Sequence, residues 1–139
     1  MVSQLNVRTT AREAQYEMVQ YISARLTMSG TADLPVVKIG TLPAGSIPLW
    51  IASRVATAVT GGTPVLGVSF ATAGAAAPAV GTTSNVQNVL AEAAGSEMVF
   101  PLAAMVLPLT VDTDFYVGTS GGVTAGDVYI TIGFVKPLA

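Results

Sequence analysis

The stretch from Gly126 to Val135 alternates without a break. Val128, Ile130, Ile132 and Phe134 fall on one side, and Asp127, Tyr129, Thr131 and Gly133 on the other. A side-chain period of two suits a strand with one buried face and suits no helix, whose apolar residues recur at spacings of three and four. The period returns in Ser46 to Val59, where Ile47, Leu49, Ile51, Val55 and Val59 share a face with Ser53 and Thr57 as interruptions. Pro48, Trp50, Ala52, Arg54, Ala56 and Ala58 share the opposite face. Turn chemistry separates the strands. Leu42-Pro43-Ala44-Gly45 suits a tight turn, Gly61-Gly62-Thr63-Pro64 ends the long strand, and Val65 to Thr72 reads as the next. Short strands joined by Gly/Pro turns, with no alternating helices, predict an all-β sandwich or barrel.

Two segments carry helix signals. Ser84-Asn85-Val86-Gln87 has capping-box spacing, and Val86, Val89, Leu90 and Ala93 make a helical face closed by Gly95, which predicts one short helix over Asn85–Ala94. Thr10-Ala11-Arg12-Glu13 has the same spacing, so a helix over 11–26 is one reading. The alternation of Tyr16, Met18, Gln20, Ile22, Ala24, Leu26 and Met28 favours a strand over 17–28. Ala71 to Thr83, rich in Ala, Gly and Thr, reads as a long loop.

Composition narrows the chemistry. The 139 residues include no histidine, no cysteine, six basic and eight acidic side chains. Without Cys there is no disulfide framework, thiolate metal site or thiol nucleophile. Without His the commonest metal ligand and general base are absent. A net charge of −2 gives no broad basic face for nucleic acid. The first residues, Met1 to Asn6, lack the pattern of a secretory signal. Met98 to Val111 is too short to span a bilayer and holds Pro101 and Pro108. With aromatic residues at 6%, a membrane barrel is not expected either.

Gly118-Thr119-Ser120-Gly121-Gly122 matches the string of a nucleophile elbow, but the following segment is a strand and no His is available, so a turn is expected. Asp112 and Asp114 share a face if their segment is a strand, without the further acidic ligands a hard cation needs, and read as solvated. Glu92 and Glu97 also read as solvated surface. No catalytic, cofactor or metal site is expected. Mean hydropathy is +0.62 and charged residues make up 10% of the chain, against about a quarter in an ordinary soluble domain. Such a surface is expected to be covered by copies of the chain or by a partner. Trp50, with Arg54 on its face, is a candidate interface anchor, the alternative being a Trp packed under a loop. Arg8 and Arg12 are candidates on an N-terminal arm over residues 1–15, with the β-sandwich over 16–139.

The stretch Leu34-Pro-Val-Val-Lys-Ile-Gly-Thr-Leu-Pro-Ala-Gly-Ser46, the long strand after it, Gly61-Gly62, Val65-Leu-Gly-Val-Ser69 and the closing Asp127-Val-Tyr-Ile-Thr-Ile-Gly-Phe134 resemble small tailed-bacteriophage proteins that decorate or cement the capsid. The resemblance covers roughly residues 30–139 and is one of pattern more than identity. Two departures stand out: Leu66-Gly-Val-Ser69 replaces a V-x-G-T-like step, and the N-terminal segment is longer and more charged. The resemblance implies a jelly-roll-like antiparallel β-sandwich without enzymatic activity. It implies self-association as a dimer or trimer and binding to the major capsid protein of an HK97-like shell, on the capsid exterior of a virion assembled from proteins made in the host cytoplasm. A carbohydrate-binding module on a virion appendage is the alternative, using Trp50 and Tyr116 beside Asp112 or Asp114. A two-carboxylate hydrolase ranks last, for want of a recognisable pair.

Overall fold

A computed structural model describes residues 19–29, 36–78, 85–88, 93–100 and 108–136. Its strands are β1 (Gln20–Ser29), β2 (Val37–Leu42), β3 (Ile47–Gly61), β4 (Val65–Thr72), β5 (Asn85–Asn88), β6 (Glu97–Phe100), β7 (Thr113–Ser120) and β8 (Val123–Val135). They form two four-stranded sheets in the orders β1-β8-β3-β6 and β2-β7-β4-β5, with every pairing antiparallel. Apart from β4 and β5, each strand is followed by one in the opposite sheet. Eight strands wound this way make a jelly roll, as expected.

The core lies between the sheets. Val128, Ile130, Ile132 and Phe134 of β8 face inward, and Ile22, Ala24, Leu26 and Met28 of β1 pack beside them. The strand reading of that N-terminal stretch therefore holds over Gln20–Met28; residues 1–18 lie outside the described residues. From the second sheet come Leu42, Leu66, Val68, Phe115 and Val117, with Phe70 stacked on Phe115 at 5.1 Å between ring centroids.

Two expectations fail. Asn85–Asn88, placed at the start of a helix, is an edge strand paired with Val65–Val68. The open backbone edge of β4 offers a ladder of hydrogen bonds, and such tertiary pairing outweighs a capping-box signal in a short segment. Residues 89–92 lie outside the described residues, and no helix occurs among those described. In β3 the register against β8 shifts between Pro48 and Trp50 and between Val55 and Thr57. Each irregularity reverses the in-out parity. Leu49 is therefore exposed and Pro48 buried, while Thr57 turns outward toward Asp127. Ser53 keeps its inward place, and its Oγ finds no hydrogen-bond partner.

The expected turns form at the corners. Ser46 N–H donates to the Pro43 carbonyl at 3.1 Å. Gly121 and Gly122 turn the chain from β7 into β8, from one sheet to the other, rather than closing a hairpin within a sheet. The Gly-x-Ser-x-Gly string is thus a corner of the sandwich, with Ser120 at the end of a strand.

Candidate functional site: the outer face of the β1-β8-β3-β6 sheet

Register sets out the outer face of this sheet in rows. Tyr21, Gly133 and Trp50 form one; Ser23, Thr131, Ala52 and Val99 the next; Arg25, Tyr129, Arg54 and Glu97 the third. The first row depends on a missing side chain. A Cβ on Gly133 would lie 2.6 Å from Trp50 Cε2, so only glycine lets the indole lie down on the strand. Tyr21 leans against it, with ring centroids 5.7 Å apart and planes at 46°. Tyr21 is 62% exposed, Tyr129 44% and Val99 70%, a concentration of open apolar surface on one rigid sheet. Together they bound a groove of about 400 Å³.

Two ion pairs lie on this face, Arg54 and Glu97 lining the groove and Arg25 and Asp127 standing beyond Tyr129. Arg25 Nη2 donates to Asp127 Oδ2 at 2.8 Å, and Arg54 Nη1 donates to Glu97 Oε1 at 3.2 Å. The Arg25 guanidinium also sits 5.7 Å from the centre of the Tyr129 ring, within cation–π range. Hydrogen bonds from Arg25, then from Thr27 and Thr57, hold the Asp127 carboxyl below its ordinary value, and the same pairing raises Arg25. Ser23 Oγ and Thr131 Oγ1 share a hydrogen bond at 2.9 Å. Among the described residues the charged side chains are Arg25, Lys38, Arg54, Glu97, Asp112, Asp114, Asp127 and Lys136, so half of them lie on this one sheet face, two of them lining the groove.

Trp50 and Arg54 do share a face, as their spacing suggests. Trp50 lies half-buried. The sequence reading missed Tyr21 and Tyr129, which come from strands brought beside β3 only by the jelly-roll order. Each lay on the correct face of an alternating run, a signal that needs strand adjacency to become a site. Arg8 and Arg12 lie outside the described residues.

The alternative grouping of Trp50 with Tyr116, Asp112 and Asp114 does not assemble. Asp114 and Tyr116 are buried on the other sheet. Both aspartates, expected to be solvated, fix turns. Asp112, exposed, accepts from the Ala44 N–H at 2.8 Å. Asp114, only 2% exposed, accepts from Thr41 Oγ1 at 2.6 Å and from the Gly74 N–H at 3.3 Å, with Lys38 Nζ at 3.6 Å. The Thr41 bond is the main cause of a lowered carboxyl pKa; Gly74 and Lys38 add to it, and burial opposes it. Among the described residues no three acidic side chains gather to hold a cation.

A pH dependence follows. A carboxylate whose native pKa lies below its unfolded value stabilises fully above the unfolded value and loses that contribution as pH falls through the native one. The stability advantage of the chain over Asp114→Asn is therefore expected in full above about pH 5. It should shrink below the ordinary value of 3.8. Urea unfolding at stepped pH measures it; a difference that does not change with pH would show that ionisation of Asp114 is irrelevant.

No protein-family model matches the chain, and no curated protein sequence matches it. Among solved structures it is similar to a chain from the capsid of Ralstonia phage GP4, with a TM-score of 0.58 and 18% identity over 88% of this chain and 86% of that one. It is also similar to a chain of the cyanophage Pam1 capsid asymmetric unit, with a TM-score of 0.57 and 17% identity over 87% of this chain and 86% of that one. The likeness runs nearly end to end in both, and it is a likeness of fold.

Proposed function

We propose that this chain is a structural protein of a tailed-phage virion, without catalytic activity, that decorates or cements the capsid by bridging major capsid protein subunits of an HK97-like shell from outside. One observation carries the reading: its jelly roll matches chains of two phage capsids along most of their length. The pattern resemblance of residues 30–139 points the same way.

The physics suits the role. Away from the outer face of the β1-β8-β3-β6 sheet, the exposed charges among the described residues are Lys38, Asp112 and Lys136. Burying neutral surface avoids the desolvation cost of ions. A contact of about 800 Å² per partner is worth roughly 20 kcal/mol gross at about 25 cal/mol/Å², before the costs of association. Self-association as a dimer or trimer multiplies such contacts across a symmetric shell. Arg8 and Arg12, on residues 1–15, are proposed to dock on the shell; Trp50 and Arg54, the other interface candidates, line the exposed groove.

Co-sedimentation with expanded shells tests the reading. The full chain is expected to bind with a copy number near that of the capsid protein. Deleting residues 1–15 should weaken binding at least tenfold, a loss of about 1.4 kcal/mol, while leaving the β-sheet circular dichroism unchanged. Failure of the full chain to bind shells would overturn the function; undiminished binding of the truncated chain would overturn the docking role of the arm.

A further inference from the structure

The groove on the outer face of the β1-β8-β3-β6 sheet is built differently from the rest of the surface. We propose that it binds an uncharged glycan, one or two sugar rings at a time. Its volume of about 400 Å³ falls within the range of small-ligand sites, roughly 300–1,000 Å³. Trp50 forms the floor, locked flat by the absence of a side chain at Gly133, and Tyr21 forms a wall inclined at 46° to it. The C–H face of a sugar packs on such aromatic faces, and a floor fixed before binding loses little entropy when the ligand arrives.

The polar border supplies the other half of sugar recognition. A sugar hydroxyl donates and accepts at once, so it needs both kinds of partner close together. Arg54 with Glu97, both lining the groove, offers this beside Tyr129. That pair leaves N–H groups and carboxylate lone pairs unused while holding the side chains in place. The Arg25–Asp127 pair is closed, with Asp127 Oδ1 buried and Oδ2 already accepting from Arg25 and Thr57. The positive and negative charges of Arg54 and Glu97 cancel, so the groove has no net field for a phosphate, a sialic acid or a cation.

The same border argues against a protein on this face. A partner of standard size covers about 800 Å² on each side, enough to dry both ion pairs. Dehydrating an ion pair costs more than its attraction often returns. A saccharide the size of the groove covers the rings and leaves the border wet. Half of the described charged side chains lie here, which makes this face the one least suited to dry packing.

The test uses the purified full chain on an array of neutral and sialylated oligosaccharides. Neutral oligosaccharides that bind are then titrated while following the fluorescence of Trp50, the sole tryptophan. Saturable binding with a shift in Trp50 emission is expected, no stronger for sialylated forms. Tyr21→Ala, at a largely exposed position, should keep the fold and weaken binding at least tenfold, whereas Thr110→Ala, outside the groove, should leave it unchanged. The proposal is overturned if no neutral oligosaccharide binds at millimolar concentration, if sialylated forms are preferred, or if Tyr21→Ala binds as well as the parent. It is also overturned if Tyr21→Ala abolishes co-sedimentation with shells, which would make the face a protein contact. Shell binding is read without glycan and glycan binding without shells, so failure of one leaves the other standing.

Discussion

Gly121→Ala is expected to lower the melting temperature by about 10 °C, the effect of roughly 3 kcal/mol in a domain of this size. Two costs combine. Gly121 has φ of +88°, a conformation that costs an L-residue on the order of 1–3 kcal/mol. A Cβ there would also lie 1.8 Å from the Thr63 carbonyl oxygen, far inside contact distance. Thr63 cannot simply step aside. Its N–H donates to the Gly121 carbonyl at 2.9 Å, and the Gly62 N–H donates to that of Gly122 at 3.3 Å. These bonds tie the β3–β4 corner to the β7–β8 corner, both of which carry the chain between sheets. Gly74 separates the two costs. Its φ is +84°, but a Cβ would meet nothing within 4 Å. Gly74→Ala should therefore lose only about 1 kcal/mol, the conformational part. Thermal denaturation of the two variants compares them directly, and equal losses would refute the steric part.

This corner also shows what the sequence could and could not disclose. Gly121-Gly122 announced a turn, yet nothing local says that it joins two sheets or that it meets Gly62-Thr63. Alternation served best where pairing is regular: every inward residue of β8 from Val128 to Phe134 was legible. It served worst in β3, where irregular pairing at Pro48–Trp50 and Val55–Thr57 moved Leu49 and Thr57 outward. A bulge is a property of two strands together, so one strand's pattern cannot reveal it. Asn85–Asn88 failed for a related reason, because the signal was local and the stabilising partner, β4, was not.

The groove followed the same division. Trp50 and Arg54 lie four residues apart on one strand, and spacing alone joined them. Tyr21 and Tyr129 reach the groove through the β1-β8-β3 order, which only the fold supplies. Gly133 was visible as a residue without side chain on the outer face of β8. Its use as a seat for the indole appears only once Trp50 is paired opposite it. The scarcity of charge likewise reads differently in three dimensions. Among the described residues, half of the charged side chains gather with the exposed aromatic rings on one sheet face, and Lys38, Asp112 and Lys136 are the exposed charges left for the rest.

Phe115→Ala is expected to remove about 3–5 kcal/mol of stability, the usual cost of emptying a buried aromatic site. That is a large share of the roughly 5–15 kcal/mol by which such a domain is folded. The reason lies in β7, whose residues are buried on both faces from Thr113 to Thr119. Phe115 is fully buried, and its strand is flanked by β2 and β4. The outer face of the strand is pinned by the bonds of Asp114, so β7 cannot drop inward to refill the space. Phe70, half-buried and stacked on Phe115, has more room to adjust than Phe115 itself. Phe70→Ala should therefore cost less than Phe115→Ala. The double variant should cost less than the sum, because residues in contact share part of what each removal loses. Urea denaturation of the three variants supplies the cycle. Strict additivity would mean that the two rings do not interact, and a small loss for Phe115→Ala would mean that β7 is free to collapse inward.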